Sequence, residues 1–236
     1  MELGHIFKME MYKNFRDKPY LIMIGIFTIS VTILSLFVVS EDFFFNLFHL
    51  LGERHAPFLT AFLLLLTVFT VLGLLVFALL YPFHLLNLDY KNKVMSLMFA
   101  SGVSRTKYYF VKIGATILSC YIVAAVILLP LMLSTESAVI MEFMFRNILA
   151  IVQWVVVMMV AIILTKGSFS GIFLFIGLNL GIGILELILV FALFPVRSLM
   201  AFGPVTTSGI PINLMTLIFI VAFGFLGVFL LRRQDL

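Results

Sequence analysis

Six long apolar stretches separated by short polar segments constrain this chain more than any other feature. They run near residues 20–39, 58–84, 112–133, 147–165, 169–194 and 212–231. A run of about 20 apolar residues is enough to cross a hydrocarbon core about 30 Å thick. Unpaired backbone groups are costly in lipid, so stretches this apolar are expected to be helices. The second and fifth are long enough to tilt or to carry a break. Composition points the same way. Of the 236 residues, 64% are apolar and 11% charged, whereas a soluble domain is about half apolar and about a quarter charged. The expectation is an all-α integral membrane protein with six transmembrane helices in a single domain over residues 1–236.

The cationic side chains set the orientation. Lys8, Lys13, Arg16, Lys18, Lys91, Lys93, Arg105, Lys107, Lys112, Lys166, Arg232 and Arg233 fall in one set of connecting segments, against Arg54, Arg146 and Arg197 in the other. The positive-inside rule places the first set, and with it both termini, in the cytoplasm. The net charge of +4 is dispersed over membrane-facing segments, without the dense basic face of a nucleic-acid binder. The expected partner surface is therefore the lipid bilayer, and no nucleic acid is expected. Cys120 is the single cysteine and lies inside the third stretch, so an intrachain disulfide and a cysteine-based metal site are both excluded. It reads as a small buried packing residue. The first 19 residues are polar and charged, and the apolar region after them is too long for a cleavable signal peptide.

Two cytoplasmic segments carry more pattern than a connector needs. In residues 1–19, Leu3, Phe7, Met11 and Phe15 recur every four positions, an apolar stripe on a helix, with Lys8, Lys13 and Arg16 off it. Such a helix lies in the headgroup layer with its basic side chains reaching phosphates, and Pro19 redirects the chain into spans 1 and 2 (residues 20–86). The only sizeable cytoplasmic loop is 87–112, between spans 2 and 3. Val94, Leu97, Met98 and Ser101 have helical spacing there, and Gly102 is a natural helix stop. This short helix is expected to expose Val94, Leu97, Met98 and Phe99, an apolar group that suggests a docking surface.

On these residues the chain resembles a permease subunit of the type-2 exporter family of ATP-binding-cassette (ABC) transporters. Those permeases have six spans, both ends inside and an N-terminal interfacial helix. Their loop between spans 2 and 3 begins with an acidic residue, passes through a Pro-Val-Ser-Arg-like turn and ends with a Lys entering span 3. Here that reads Asp89, then Gly102-Val103-Ser104-Arg105, then Lys112. Gly102 stands where Pro is usual and Asp89 where Glu is commoner. The ending Phe229-Leu230-Leu231-Arg232-Arg233-Gln234-Asp235-Leu236, with its tail at 232–236, is similar to the family's basic-plus-Asp ending. The resemblance implies that Asp89, Val94, Leu97, Met98, Gly102, Val103, Ser104, Arg105 and Lys112 form a coupling surface for a separate ATPase subunit. It also implies a second permease, either an identical copy or a paralogue. The chain contains no G-x-x-x-x-G-K-[ST], so ATP and Mg2+ are expected on the partner, with no cofactor and no enzymatic activity in this chain.

Spans 3 to 6 and their connections occupy residues 113–231. The outer segment 40–57 carries Glu41, Asp42, Glu53, Arg54, His49 and His55 among Phe43, Phe44, Phe45 and Phe48. A solvated loop with an aromatic belt accounts for it better than a metal site does. Residues 194–211, with three prolines and a Thr-Thr-Ser run, suit a short re-entrant element at the outer mouth, covered by protein or by a water-filled cavity. Glu186 within span 5 costs about 2.5–3.5 kcal/mol on insertion scales. It faces a cavity, a subunit contact or a partner such as Arg197 or Arg146, or it reaches the outer interface. Asn179 lies two helical turns earlier, so Asn179, Glu186 and Arg197 are the candidate translocation-path residues. Gly177-x-x-x-Gly181 with Gly183 offers a flat face for helix packing. Pro82 and Pro130 are expected to kink or end their helices.

Three function classes remain. An ABC exporter permease would move a hydrophobic or amphipathic substrate, because the spans offer few polar groups: Thr60, Thr67, Thr70, Ser119, Gln153, Asn179 and Glu186. By resemblance to small bacterial permeases of the plasma membrane, that substrate is a toxic or antimicrobial peptide, a lipid-like molecule or a drug. The outer segments are too small for a substrate-binding domain, which favours export. An intramembrane protease is disfavoured, since the four His all precede position 85 and no His-Glu-x-x-His occurs. The alternative is an ion-coupled carrier or channel that works without an ATPase, for which one intramembrane carboxylate and no internal repeat are thin equipment.

Overall fold

The computed structural model describes residues 3–39, 56–92, 94–134, 148–193 and 209–233. Among these the chain forms eight helices and no strand: α1 (Leu3–Asn14), α2 (Lys18–Val39), α3 (Ala56–Lys91), α4 (Val94–Ala100), α5 (Arg105–Ser134), α6 (Ile148–Leu164), α7 (Ser170–Leu193) and α8 (Gly209–Arg233). Four hold stretches long and apolar enough to cross a membrane, namely Lys18–Ser35, Leu64–Tyr90, Arg105–Pro130 and Thr216–Arg233. The other two apolar helices are shorter in the parts described, Ile148–Leu164 and Ser170–Leu185.

Neither internal proline ends its helix. Pro82 lies inside α3 and Pro130 inside α5. A proline removes one backbone bond, but around Pro82 the side chains of Tyr81, Phe83, Leu85 and Leu86 are all buried, and that packing keeps the helix running to Lys91. The connection expected over 87–112 is therefore mostly helical: the end of α3, then α4, then the start of α5.

The chain divides into two units. The first comprises Met1–Met11, Pro82–Ile117 and Asn147–Leu236. Its centre is α6, buried continuously from Val155 to Ile163, with α7 and α8 packed on it and on each other. A helix apolar on every side belongs inside other helices or lipid. Trp154 meets Phe175 edge-on at 5.9 Å, joining α6 to α7. The second unit comprises Tyr12–Tyr81 and Leu118–Arg146. There Tyr20 and Phe27 of α2 pack on Tyr81 and Phe77 of α3, with centroids 5.5 and 5.4 Å apart. The approach is close because α3 has a glycine at 73, where a Cβ would come within 2.7 Å of the Phe27 ring.

Large apolar side chains face outward on α3 (Leu64, Leu65, Phe69, Leu72), α7 (Phe173, Leu180) and α8 (Phe225). Contiguous faces of this kind are unfavourable in water and suited to lipid. Among the described residues, nothing packs on the glycine face of α7. A Cβ at Gly177, Gly181 or Gly183 would meet nothing within 4 Å among the described residues. Cys120 is half-buried on α5.

Candidate functional site

The segment Gly102-Val103-Ser104-Arg105 stops one helix and starts the next within four residues. Gly102 adopts φ +86°, which glycine reaches without a Cβ clash. Its N–H donates to Phe99 O at 3.0 Å and the Val103 N–H to Met98 O at 3.2 Å, the paired bonds of a Schellman stop. Val103 is buried. The Ser104 hydroxyl then accepts from the Lys107 N–H at 3.3 Å, an N-cap for α5. Arg105 is the first residue of α5. Its Nη1 donates to Leu231 O at 3.0 Å and to Arg232 O at 3.1 Å, while its guanidinium lies 5.4 Å from the Phe99 ring centroid.

This fixes the pose of α4. Met95 and Met98 point inward, at 2% and 8% exposure, while Leu97 is 67% exposed. Val94 and Phe99 are half-buried. The expectation that Met98 is displayed with Leu97 is thus corrected. Adjacent helix positions lie about 100° apart, and seating Met95 on the protein turns Met98, three residues on, inward with it.

Beneath α4 lies a buried polar cluster drawn from three helices. The Lys112 ammonium donates to Glu10 Oε2 at 2.6 Å and lies 2.9 Å from Asp89 Oδ2. The Tyr108 hydroxyl donates to the same Asp89 oxygen. All four residues are fully buried. Tyr108 and Lys112 are one turn apart on α5 and so share a face. Asp89 comes from the end of α3 and Glu10 from α1. Burying charges is costly, and attraction offsets the cost only where geometry is close and the remaining lone pairs are used. The two short contacts and the phenol satisfy that condition. The Phe99 ring stands edge-on to Tyr108 at 5.5 Å, so α4 rests directly on the cluster.

Of the residues singled out from sequence, the structure brings Asp89 and Lys112 into contact and places Arg105, Gly102, Val103 and Ser104 in the turn that orients α4. Sequence reasoning missed Glu10 and Tyr108. Helix α1 forms as expected, and its buried positions are Ile6, Glu10 and Asn14, whereas Phe7, Met11 and Phe15 of the apolar stripe are less buried. The buried face is rotated because Glu10 meets Lys112 and Asn14 donates to Ser119 Oγ at 2.9 Å. Phe7 and Met11 are half-buried, and Phe15 lies beyond the helix end. The available signal is the i, i+4 spacing of Ile6, Glu10 and Asn14, which a search for apolar periodicity passes over because two of the three are polar.

Of the three candidate path residues, only Asn179 has a described side chain. Asn179 is half-buried, and its amide donates to Phe175 O of its own helix at 3.0 Å. Glu186 falls within α7. Arg197, Arg146, residues 40–55 of the outer segment 40–57 and residues 194–208 of the re-entrant element expected at 194–211 lie outside the described residues. Comparison with protein-family models, curated proteins and solved structures found no match.

Proposed function

We propose that this chain is the permease subunit of an ATP-driven ABC exporter, with α4 as the helix that docks on the ATPase. The supporting observation is the pose of α4: a seven-residue helix seated by Met95 and Met98, stopped by Gly102, and displaying Leu97 away from the protein. A loop that served only to reverse the chain would not need a buried ionic cluster beneath it, nor an outward leucine. The partner surface that fits is an apolar pocket for Leu97 with acidic groups near the exposed Lys107.

In this reading α2, α3, α5, α6, α7 and α8 are six spans of a bacterial plasma-membrane protein with both ends in the cytoplasm. Helix α6, at 17 residues, is about 26 Å long, close to the roughly 30 Å hydrocarbon thickness. Two permeases work with two ATPase subunits that carry ATP and Mg2+. The scarcity of polar groups in the spans favours a hydrophobic or amphipathic cargo, such as an antimicrobial peptide, a lipid-like molecule or a drug.

The test is co-purification of the tagged chain with ATPase subunits encoded beside it, followed by ATP hydrolysis with and without amphipathic peptide. Leu97→Ala is expected to leave thermal stability within about 0.5 kcal/mol, as for exposed substitutions, and to lower peptide-stimulated turnover by about tenfold or more. Met98→Ala is expected to destabilise by about 2–3 kcal/mol through the cavity it leaves. Failure of any ATPase to bind, with transport untouched by Leu97→Ala, refutes the proposal and turns attention to an ion-coupled carrier.

A further inference from the structure

Arg105 joins two parts of the chain that lie 126 residues apart. Its Nη1 holds the carbonyls of Leu231 and Arg232, at 3.0 and 3.1 Å, and its guanidinium lies against Phe99 of α4. The last carbonyls of a helix have no donor within the helix, and a cation there also meets the negative end of the helix dipole. The end of α8 is therefore capped by a side chain from the first residue of α5. A second contact runs the opposite way: Arg232 Nε and Nη2 donate to Thr106 Oγ1 at 3.3 and 3.0 Å. Leu231 itself is fully buried.

From this geometry we infer that Arg105 is a positioning residue that couples α4 to the last turn of α8, rather than a contact for an outside partner. A shift of α4 moves Phe99. The guanidinium packed on it must then either leave the Leu231 and Arg232 carbonyls or carry the end of α8 along. Arginine suits this role because a planar guanidinium stacks with its face and donates with its edge, whereas an ammonium does only the second. The functional consequence rests on the reading of α4 as the docking helix: docking at Leu97 would be felt at the end of α8, a helix packed on the buried α6.

The coupling is testable on the full chain alone, in lipid nanodiscs, by hydrogen exchange. Losing a bond to a charged donor at a helix end costs enough to speed local exchange by about tenfold or more. Arg105→Ala is expected to do this in Phe229–Arg233 and, in the same sample, in Val94–Ala100, with Val155–Ile163 of α6 unchanged, which separates local opening from global unfolding. Arg105→Lys is expected to restore protection at the end of α8 but not in α4. Thr106→Val, a milder variant that leaves Arg105 in place, is expected to raise exchange about threefold in the last turn of α8. Unchanged exchange in Phe229–Arg233 with Arg105→Ala overturns the inference. So does a response confined to α8, which would make Arg105 a cap and nothing more, and so does full rescue of both segments by lysine. The exchange result stands apart from the docking proposal. If Arg105→Ala loosens both segments while ATP turnover ignores Leu97→Ala, the clamp survives and the permease reading fails.

Discussion

Replacing Lys112 by methionine probes the buried cluster most directly. The side chains are similar in length, so the substitution removes charge and hydrogen bonds with little change in volume. In the native protein one ammonium serves two carboxylates, at 2.6 Å from Glu10 and 2.9 Å from Asp89, and none of the three is exposed. Lys112→Met leaves those two carboxylates facing each other in a site closed to solvent. Breaking a buried ion pair by deleting one partner costs about 3–5 kcal/mol, or roughly two to nearly four orders of magnitude in the folding equilibrium constant. Glu10→Gln is milder, about 1–2 kcal/mol, because Lys112 keeps Asp89 and the amide oxygen still accepts. Combining Glu10→Gln with Lys112→Met removes the repulsion along with the attraction, so the double variant should fall short of the sum by about 1 kcal/mol or more. Reversible unfolding in mixed detergent micelles reads these differences. Trp154, the single tryptophan, lies on α6 against Phe175 and reports the unit to which the cluster belongs. Because the cluster is buried, the effects should barely change with salt. The reasoning is refuted if Lys112→Met stays within about 0.5 kcal/mol of the native protein, the range for an exposed change such as Lys107→Met, or if the two substitutions add.

Two further predictions separate backbone strain from crowding. Gly102→Ala and Gly167→Ala both force a side chain into positive φ, at +86° and +75°, a cost of about 1–2 kcal/mol. A Cβ at 102 meets open space, whereas one at 167 would collide with the Asn87 amide oxygen and come within 2.7 Å of Tyr90 Cβ, so Gly167→Ala should lower the unfolding midpoint clearly more. Among the described residues the buried Tyr109 hydroxyl has no hydrogen-bond partner, and it lies against Gly227 of α8. Tyr109→Phe should therefore be neutral or slightly stabilising. Gly227→Ala, whose Cβ would sit 2.6 Å from Tyr109 Cζ, should destabilise in thermal melts and be partly rescued by Tyr109→Phe.

Elements whose cause is local are legible from residue order alone. Apolar runs long enough for lipid announced α2, α3, α5 and α8, because hydrophobicity sums along the chain without reference to any partner. Gly102 announced the end of α4 because a positive φ is written into the residue type. Asp89, Arg105 and Lys112 were legible as exceptional through their place in a motif. Their roles, and those of Glu10 and Tyr108, were decided by tertiary structure. Glu10 and Lys112 are 102 residues apart, and nothing in the spacing of either says that it is buried with the other. A lone glutamate in a basic amphipathic helix belongs on its wet face until a lysine is supplied from elsewhere. That partner rotates the buried face of α1 to Ile6, Glu10 and Asn14. The same holds for Met98 and Leu97, which periodicity placed together. The body beneath α4 separates them, because a helix with apolar residues on several sides buries whichever face its neighbours can cover.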